Sequence, residues 1–123
     1  MLDLFPLSAA IDGEDILLGG LTAHGLAAEF GTPLVVYCEK TLRAQARALK
    51  AAIGDGHVAF GSKAFPNVAI LRLLREEGIW VDVASPGELA FARVAGYEGD
   101  EIVVHGNNKD TILLEAAAAE GAV

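Results

Sequence analysis

The chain has 123 residues, of which 53% are hydrophobic and 21% are charged, and this composition argues against intrinsic disorder. Nine Lys and Arg residues stand against 17 Asp and Glu residues, and a formal net charge of −8 argues against partners that bind through cations, namely nucleic acids and anionic membrane surfaces. No apolar run approaches the roughly 20 residues that cross a bilayer. With no signal-peptide pattern at the start and Cys38 as the single cysteine, we expect a cytoplasmic protein.

The first 31 residues predict a short N-terminal segment and helix. Thr22 is placed to cap a helix that ends at Phe30, before Gly31. The apolar residues 16–18 predict a short strand that belongs to a different sheet from the one that follows.

Four apolar runs of strand length recur in the rest of the chain. They are residues 34–37, 57–60, 79–83 and 102–104, so that their starts are 23, 22 and 23 residues apart. Because these runs are apolar throughout and do not alternate with polar residues, they are typical of parallel strands that are buried on both faces.

A helical pattern follows each of these runs. The first has apolar residues on one face, the second ends before a glycine, the third opens with a capping box, and the fourth is rich in alanine. The face of the first helix consists of Leu42, Ala46, Leu49 and Ile53, and the second helix is predicted over 66–77. The capping box of the third is Ser85 with Glu88, and the fourth is predicted over 110–120. Asn107 and Asn108 are the predicted turn and N-cap before this last helix.

This alternation of strands and helices predicts an α/β fold with a parallel sheet. About four βα units would be half of a (β/α)8 barrel, which needs about 250 residues. A small doubly wound sheet, with about five strands, is the alternative. A leucine-rich solenoid is set aside because the Leu-x-x-Leu-x-Leu…Asn signature of its repeats is absent.

Polar side chains stand where the predicted strands end, which is where parallel sheets collect their functional groups. Lys63 follows the second strand, Asp82 lies in the third, and His105 follows the fourth. Lys63 has small and apolar neighbours in the sequence, and an apolar setting would disfavour its ammonium form and free the amine to form a Schiff base with an aldehyde. The alternative for Lys63 is an ordinary lysine that reaches solvent or pairs with Asp82.

The other candidates also have structural interpretations. Asp82 could be a buried acid that backbone donors satisfy, Glu88 could complete the capping box, and His105 could be a turn residue. Cys38 is interpreted as inert packing. The three histidines and one cysteine do not have the spacing of a metal site, so we predict no metal.

Four segments, in order, resemble the diaminopimelate decarboxylases. They are GTPLVVY at 31–37, SKAF at 62–65, GIWVDVASPGEL at 78–89 and IVVHGNNK at 102–109, and the similarity runs from about residue 20 to the end. In this family Tyr-Ala usually stands before the lysine segment, where this chain has Phe60 and Gly61.

The resemblance implies the N-terminal part of a fold-type III enzyme that depends on pyridoxal 5′-phosphate. It implies a partial alanine-racemase-like (β/α)8 barrel of about four βα units over 32–123, after an N-terminal segment and helix over 1–31. Lys63 would bond covalently to the cofactor, and Asp82, Glu88 and, more weakly, His105 would line the cofactor end of the barrel.

The implied reaction is the decarboxylation of meso-2,6-diaminopimelate, an amino-acid substrate, to L-lysine, by a homodimer. Family members are much longer than this chain, so that the isolated 123 residues are expected to be inactive. Two alternatives stay open: a non-catalytic truncated paralogue or partner-binding module, and a related decarboxylase of ornithine, arginine or carboxynorspermidine that shares the lysine and the acids.

Overall fold

A computed structural model describes residues 2–123, apart from the side chain of Asp3. The chain divides into two units, of which the first ends at Gln45 and the second is Ala46–Val123. Within the described residues, none of the helices has both the length and the apolar character that crossing a membrane requires.

The first unit contains a three-stranded antiparallel sheet in the order β1-β2-β3. The strands are β1 (Ala10–Asp12), β2 (Asp15–Leu18) and β3 (Leu21–Thr22). Gly19 and Gly20, with φ of 64° and 92°, form the two-residue turn between β2 and β3, and positive φ at both positions is what a type I′ hairpin turn requires. The short strand predicted at residues 16–18 is therefore confirmed, in a sheet separate from the parallel one.

Helix α1 (Ala23–Phe30) follows directly, as predicted. The Thr22 hydroxyl accepts a hydrogen bond from the Gly25 N–H at 3.0 Å, which satisfies one of the free donors of the first turn. Gly31, with φ of 79°, ends the helix.

The strand predicted at residues 34–37 is wrong. The segment belongs to neither sheet, and its side chains are exposed, with Val35 at 77%. Its β-branched composition favours extended backbone, but a strand also requires a hydrogen-bonded neighbour, which the pattern of one segment cannot reveal.

The second unit contains a three-stranded parallel sheet in the order β4-β5-β6. The strands are β4 (Ala59–Gly61), β5 (Trp80–Val83) and β6 (Ile102–Val104). Helices α3 (Val68–Glu76), α4 (Pro86–Ala95) and α5 (Thr111–Glu120) follow them in turn. The structure therefore has three paired βα units where the sequence predicts four, and α2 (Glu39–Ile53) stands before the first of them.

Two helix starts differ from the prediction because other side chains provide the caps. Helix α3 begins after Asn67, whose side-chain oxygen accepts from the backbone N–H groups of Ala69 and Ile70. Helix α5 is capped by Asp110, whose carboxylate accepts from the Leu113 N–H at 2.7 Å, so that Asn107 and Asn108 do not cap it.

The core of the second unit lies between the sheet and helices α3 to α5. Its fully buried side chains come from β5, β6 and these helices, and the largest are Leu71, Leu89, Ile102, Leu113, Val81 and Val83. The apolar face predicted on α2 is only partly buried, since Ala46 is 3% exposed but Leu49 is 57% exposed.

Candidate active site

The register of the parallel sheet places the ends of its three strands along one edge. Gly61 of β4 pairs with Asp82, and Asp82 pairs with Val103 of β6. Lys63 lies in the 3₁₀ turn Ser62–Ala64 that follows β4 directly. We call the strand ends and the residues that follow them the carboxyl edge.

Asp82 and His105 meet at this edge. The His105 Nδ1 atom lies 3.2 Å from Asp82 Oδ2, and the two side chains are 68% and 25% exposed. Because an ionised carboxylate only accepts hydrogen bonds, this contact is a hydrogen bond when Nδ1 carries a proton. His105 is therefore held by Asp82, while its backbone N–H donates to Val83 O at 3.0 Å.

Glu88 also lies at the carboxyl edge, but it does not complete the predicted capping box. Ser85 caps α4 as expected, accepting from the Glu88 N–H at 3.3 Å. The Glu88 carboxylate instead accepts from the backbone N–H of Ala84 at 2.7 Å. It also contacts the hydroxyl of Ser62 at 3.2 Å. These two donors engage the carboxylate, and no hydrogen bond returns from it to Ser85.

Ser62 is the residue that the sequence reasoning missed. It is fully buried, at 0% exposure, and its hydroxyl lies 2.8 Å from the carbonyl oxygen of Asp82. A small polar residue between an apolar strand and Lys63 was the available signal, because a buried hydroxyl requires hydrogen-bond partners.

Lys63 is exposed, so that the sheltered setting predicted for it is not formed by the described residues. Within residues 2–123 its amine has no ion pair, and Asp82 pairs with His105 in its place. The prediction relied on the apolar neighbours of Lys63 in the sequence, but one of them, Ala64, is itself exposed and provides no shelter. Burial of a long side chain depends on the elements packed around it, which local sequence does not reveal.

No cluster of three or more His, Cys, Asp or Glu side chains with the arrangement of a metal site occurs among residues 2–123. The carboxyl edge therefore offers an amine, two carboxylates and an imidazole as its chemical groups.

A separate cavity of about 920 Å³ lies in the first unit, and Cys38 and Ser8 are among its lining residues. The Cys38 Sγ atom is half-buried and lies 3.1 Å from Ser8 Oγ. Hydrogen bonds from Ser8 and Thr41 stabilise the thiolate and hold the pKa of the Cys38 thiol below its ordinary value. Cys38 was predicted to be an inert packing residue, but its thiol has polar contacts with Ser8 and Thr41.

We expect Ser8→Ala to raise the pKa of Cys38, because it removes the largest of these contributions. The rate of alkylation by iodoacetamide, followed against pH, measures this directly, since Cys38 is the single cysteine. The midpoint of the wild-type profile should lie below the value of about 8.5 of an ordinary thiol, and that of the variant should lie closer to it. The urea-unfolded chain is the reference, and identical midpoints for the folded wild type and this reference would contradict the prediction.

Comparison with known proteins defines the class. Residues 39–123 match the family model described as "Pyridoxal-dependent decarboxylase, pyridoxal binding domain". Because this match covers more than half of the chain, the chain belongs to the pyridoxal-dependent decarboxylase family.

Two named relatives are diaminopimelate decarboxylases. The diaminopimelate decarboxylase of Actinosynnema pretiosum subsp. auranticum is 42% identical over 118 residues, which are 96% of this chain and 27% of that protein. The diaminopimelate decarboxylase of Bacillus subtilis (strain 168) is 46% identical over 104 residues, which are 81% of this chain and 24% of that protein. The chain therefore spans about a quarter of the length of the curated relatives that it matches.

A solved structure agrees with these relatives. The crystal structure of diaminopimelate decarboxylase from M. jannaschii in co-complex with L-lysine superposes with a TM-score of 0.82 at 30% identity, covering 93% of this chain and 28% of that chain. The resemblance to this family and the α/β fold predicted from the sequence are therefore confirmed.

Proposed function

We propose that the protein carrying this chain decarboxylates meso-2,6-diaminopimelate to L-lysine and carbon dioxide with pyridoxal 5′-phosphate. The observation that carries the proposal is Lys63, which directly follows β4 at the carboxyl edge of a sheet in the pyridoxal binding domain. The identity of 42% to a diaminopimelate decarboxylase supports this substrate over related amino acids.

The residues at the carboxyl edge fit a cofactor that carries an aldehyde. Lys63 presents an exposed primary amine, the group that condenses with an aldehyde, and it would hold the cofactor covalently. Asp82, Glu88 and His105 would surround the cofactor as hydrogen-bonding groups. When bound, the cofactor supplies an electron sink for the pair of electrons that remains when carbon dioxide leaves an amino acid.

The chain's own residues provide orientation at this edge. The contact between Asp82 Oδ2 and His105 Nδ1 would orient the imidazole, with Nε2 as the ring nitrogen left for the cofactor. One oxygen of Glu88 is held by Ala84 and Ser62, which limits the motion of its carboxylate. In this proposal the shelter that Lys63 needs against water comes from parts of the enzyme outside residues 2–123.

Release of carbon dioxide from meso-diaminopimelate by the whole protein that carries this chain, with pyridoxal phosphate added, tests the proposal. L-ornithine, L-arginine and carboxynorspermidine are the competing substrates at equal concentration. We expect turnover of meso-diaminopimelate and little or none of the other three. A higher kcat/KM for one of them would assign the chain to a related decarboxylase.

A non-catalytic partner-binding module is the second candidate, and the exposed apolar side chains favour it. Phe91 and Val94 on α4 are 41% and 59% exposed, and Ile112 on α5 is 68% exposed. Such surfaces are typical of protein contacts. A stable monomer in sedimentation velocity, without cofactor absorbance after incubation with pyridoxal phosphate, would favour this candidate.

We extend the main proposal to the architecture and assembly of the enzyme. The sheet β4-β5-β6 is an arc of an alanine-racemase-like barrel, the barrel domain begins near residue 32, and the enzyme is a cytoplasmic homodimer. The structural similarity to a diaminopimelate decarboxylase supports the barrel. A sedimentation mass of two subunits for the active enzyme is expected, and an active monomer would contradict the homodimer.

A further inference from the structure

Ser62 connects two parts of the carboxyl edge that are distant in sequence. Its hydroxyl lies 2.8 Å from the carbonyl oxygen of Asp82, at the end of β5, and 3.2 Å from Oε2 of Glu88, in the first turn of α4. Because Ser62 is 0% exposed, water does not compete for its hydroxyl. The side chain beside it in sequence is Lys63.

The hydroxyl of Ser62 has one proton for two acceptors. A carbonyl oxygen and an ionised carboxylate can only accept, so that the proton is shared between Asp82 O and Glu88 Oε2. Removing the hydroxyl therefore takes a donor from the half-buried carboxylate of Glu88. Because Ser62 itself is fully buried, this loss costs more than the loss of a hydrogen bond on the surface.

The two oxygens of Glu88 differ in their contacts. Oε2 accepts from the Ala84 N–H at 2.7 Å and contacts the Ser62 hydroxyl at 3.2 Å. Among the residues that the structure describes, Oε1 accepts no hydrogen bond. One oxygen thus anchors the carboxylate, and the other is available to a donor on a ligand.

We propose that Ser62 is a positioning residue that acts through Glu88: with the Ala84 N–H it holds Oε2, so that Oε1 meets an N–H or O–H donor of the bound cofactor. This inference rests on the proposed function, since it takes pyridoxal phosphate as the ligand. It adds a role for Ser62 that follows from these contacts alone.

A double-mutant cycle tests the proposal, with the dissociation constant of pyridoxal phosphate, measured by absorbance titration, as the readout. Ser62→Ala and Glu88→Ala should each weaken binding roughly tenfold, the size expected for one lost hydrogen bond to a charged group. If Ser62 acts through Glu88, the double variant should bind no more weakly than Glu88→Ala. Losses that multiply in the double variant would overturn the proposal.

Tyr97→Phe is the matched control for the loss of a buried hydroxyl. The Tyr97 hydroxyl is 3.1 Å from both Leu71 O and Ile79 O, near the amino end of β5, the opposite end from Asp82. Tyr97→Phe should lower Tm as Ser62→Ala does but leave cofactor binding unchanged. Equal weakening of binding by both variants would show that Ser62 is merely structural.

Ser62→Cys keeps the test usable if Ser62→Ala does not fold. Cysteine nearly preserves the shape of serine and is a weak donor, so that binding intermediate between wild type and Glu88→Ala is expected. Wild-type binding by Ser62→Cys would overturn the proposal. A wild-type protein that does not bind pyridoxal phosphate would instead overturn the proposed function, and with it this inference.

Discussion

Lys63→Ala should abolish decarboxylation, with a fall in kcat/KM on the order of 10³-fold or more, because the variant lacks the amine that we propose bonds to the cofactor. Lys63→Arg should be as inactive as Lys63→Ala. Arginine keeps the positive charge but is not deprotonated in proteins and forms no Schiff base, so that this variant separates the nucleophile from the charge.

Lys50→Ala is the control for Lys63. Lys50 is an exposed lysine on α2 whose amine lies against Gly78, before the amino end of β5 and away from the carboxyl edge. Its loss should leave kcat/KM within about twofold of the wild-type value. Substantial activity in Lys63→Arg would contradict the assignment of Lys63.

Leu113→Ala should destabilise the second unit by about 2–5 kcal/mol, the range for truncating a buried leucine. Leu113 is 1% exposed and packs in the core with the sheet. Its neighbour Leu114, on the same helix, is 47% exposed. Leu114→Ala should therefore cost less than about 1 kcal/mol, although both changes have the same effect on helix propensity.

Urea unfolding followed by circular dichroism measures both variants of α5. The difference in the free energy of unfolding between them isolates the contribution of burial. Equal losses would mean that Leu113 is not part of the core that the structure assigns to it.

Much of the fold followed from local patterns. The capping residue Thr22, the cap at Ser85 and the glycines after the helices located α1, α4 and α5 to within a few residues. These signals act over one turn of helix, so that a single sequence contains them in full. The prediction of a strand at 34–37 was wrong because pairing between strands depends on residues that are distant in sequence.

The candidate site was predictable in position but not in its contacts. Strand ends located Asp82 and His105 at one edge, and the structure brings them into contact at 3.2 Å. The carboxylate of Glu88 contacts Ser62 and Ala84 and not the backbone of Ser85. Ser62 is distant in sequence, so that only the folded chain shows that it is a neighbour of Glu88. The exposure of Lys63 was missed for the same reason, since solvent access depends on packing in space.

Reductive trapping tests the central assignment most directly. The protein is incubated with pyridoxal phosphate, reduced with borohydride and digested, and the lysine peptides are identified by mass spectrometry. The chain has four lysines, Lys40, Lys50, Lys63 and Lys109, and we predict that the reduced cofactor is attached to Lys63 alone and is lost in Lys63→Arg. Attachment to another lysine, or an unmodified Lys63 after reduction, would contradict the account.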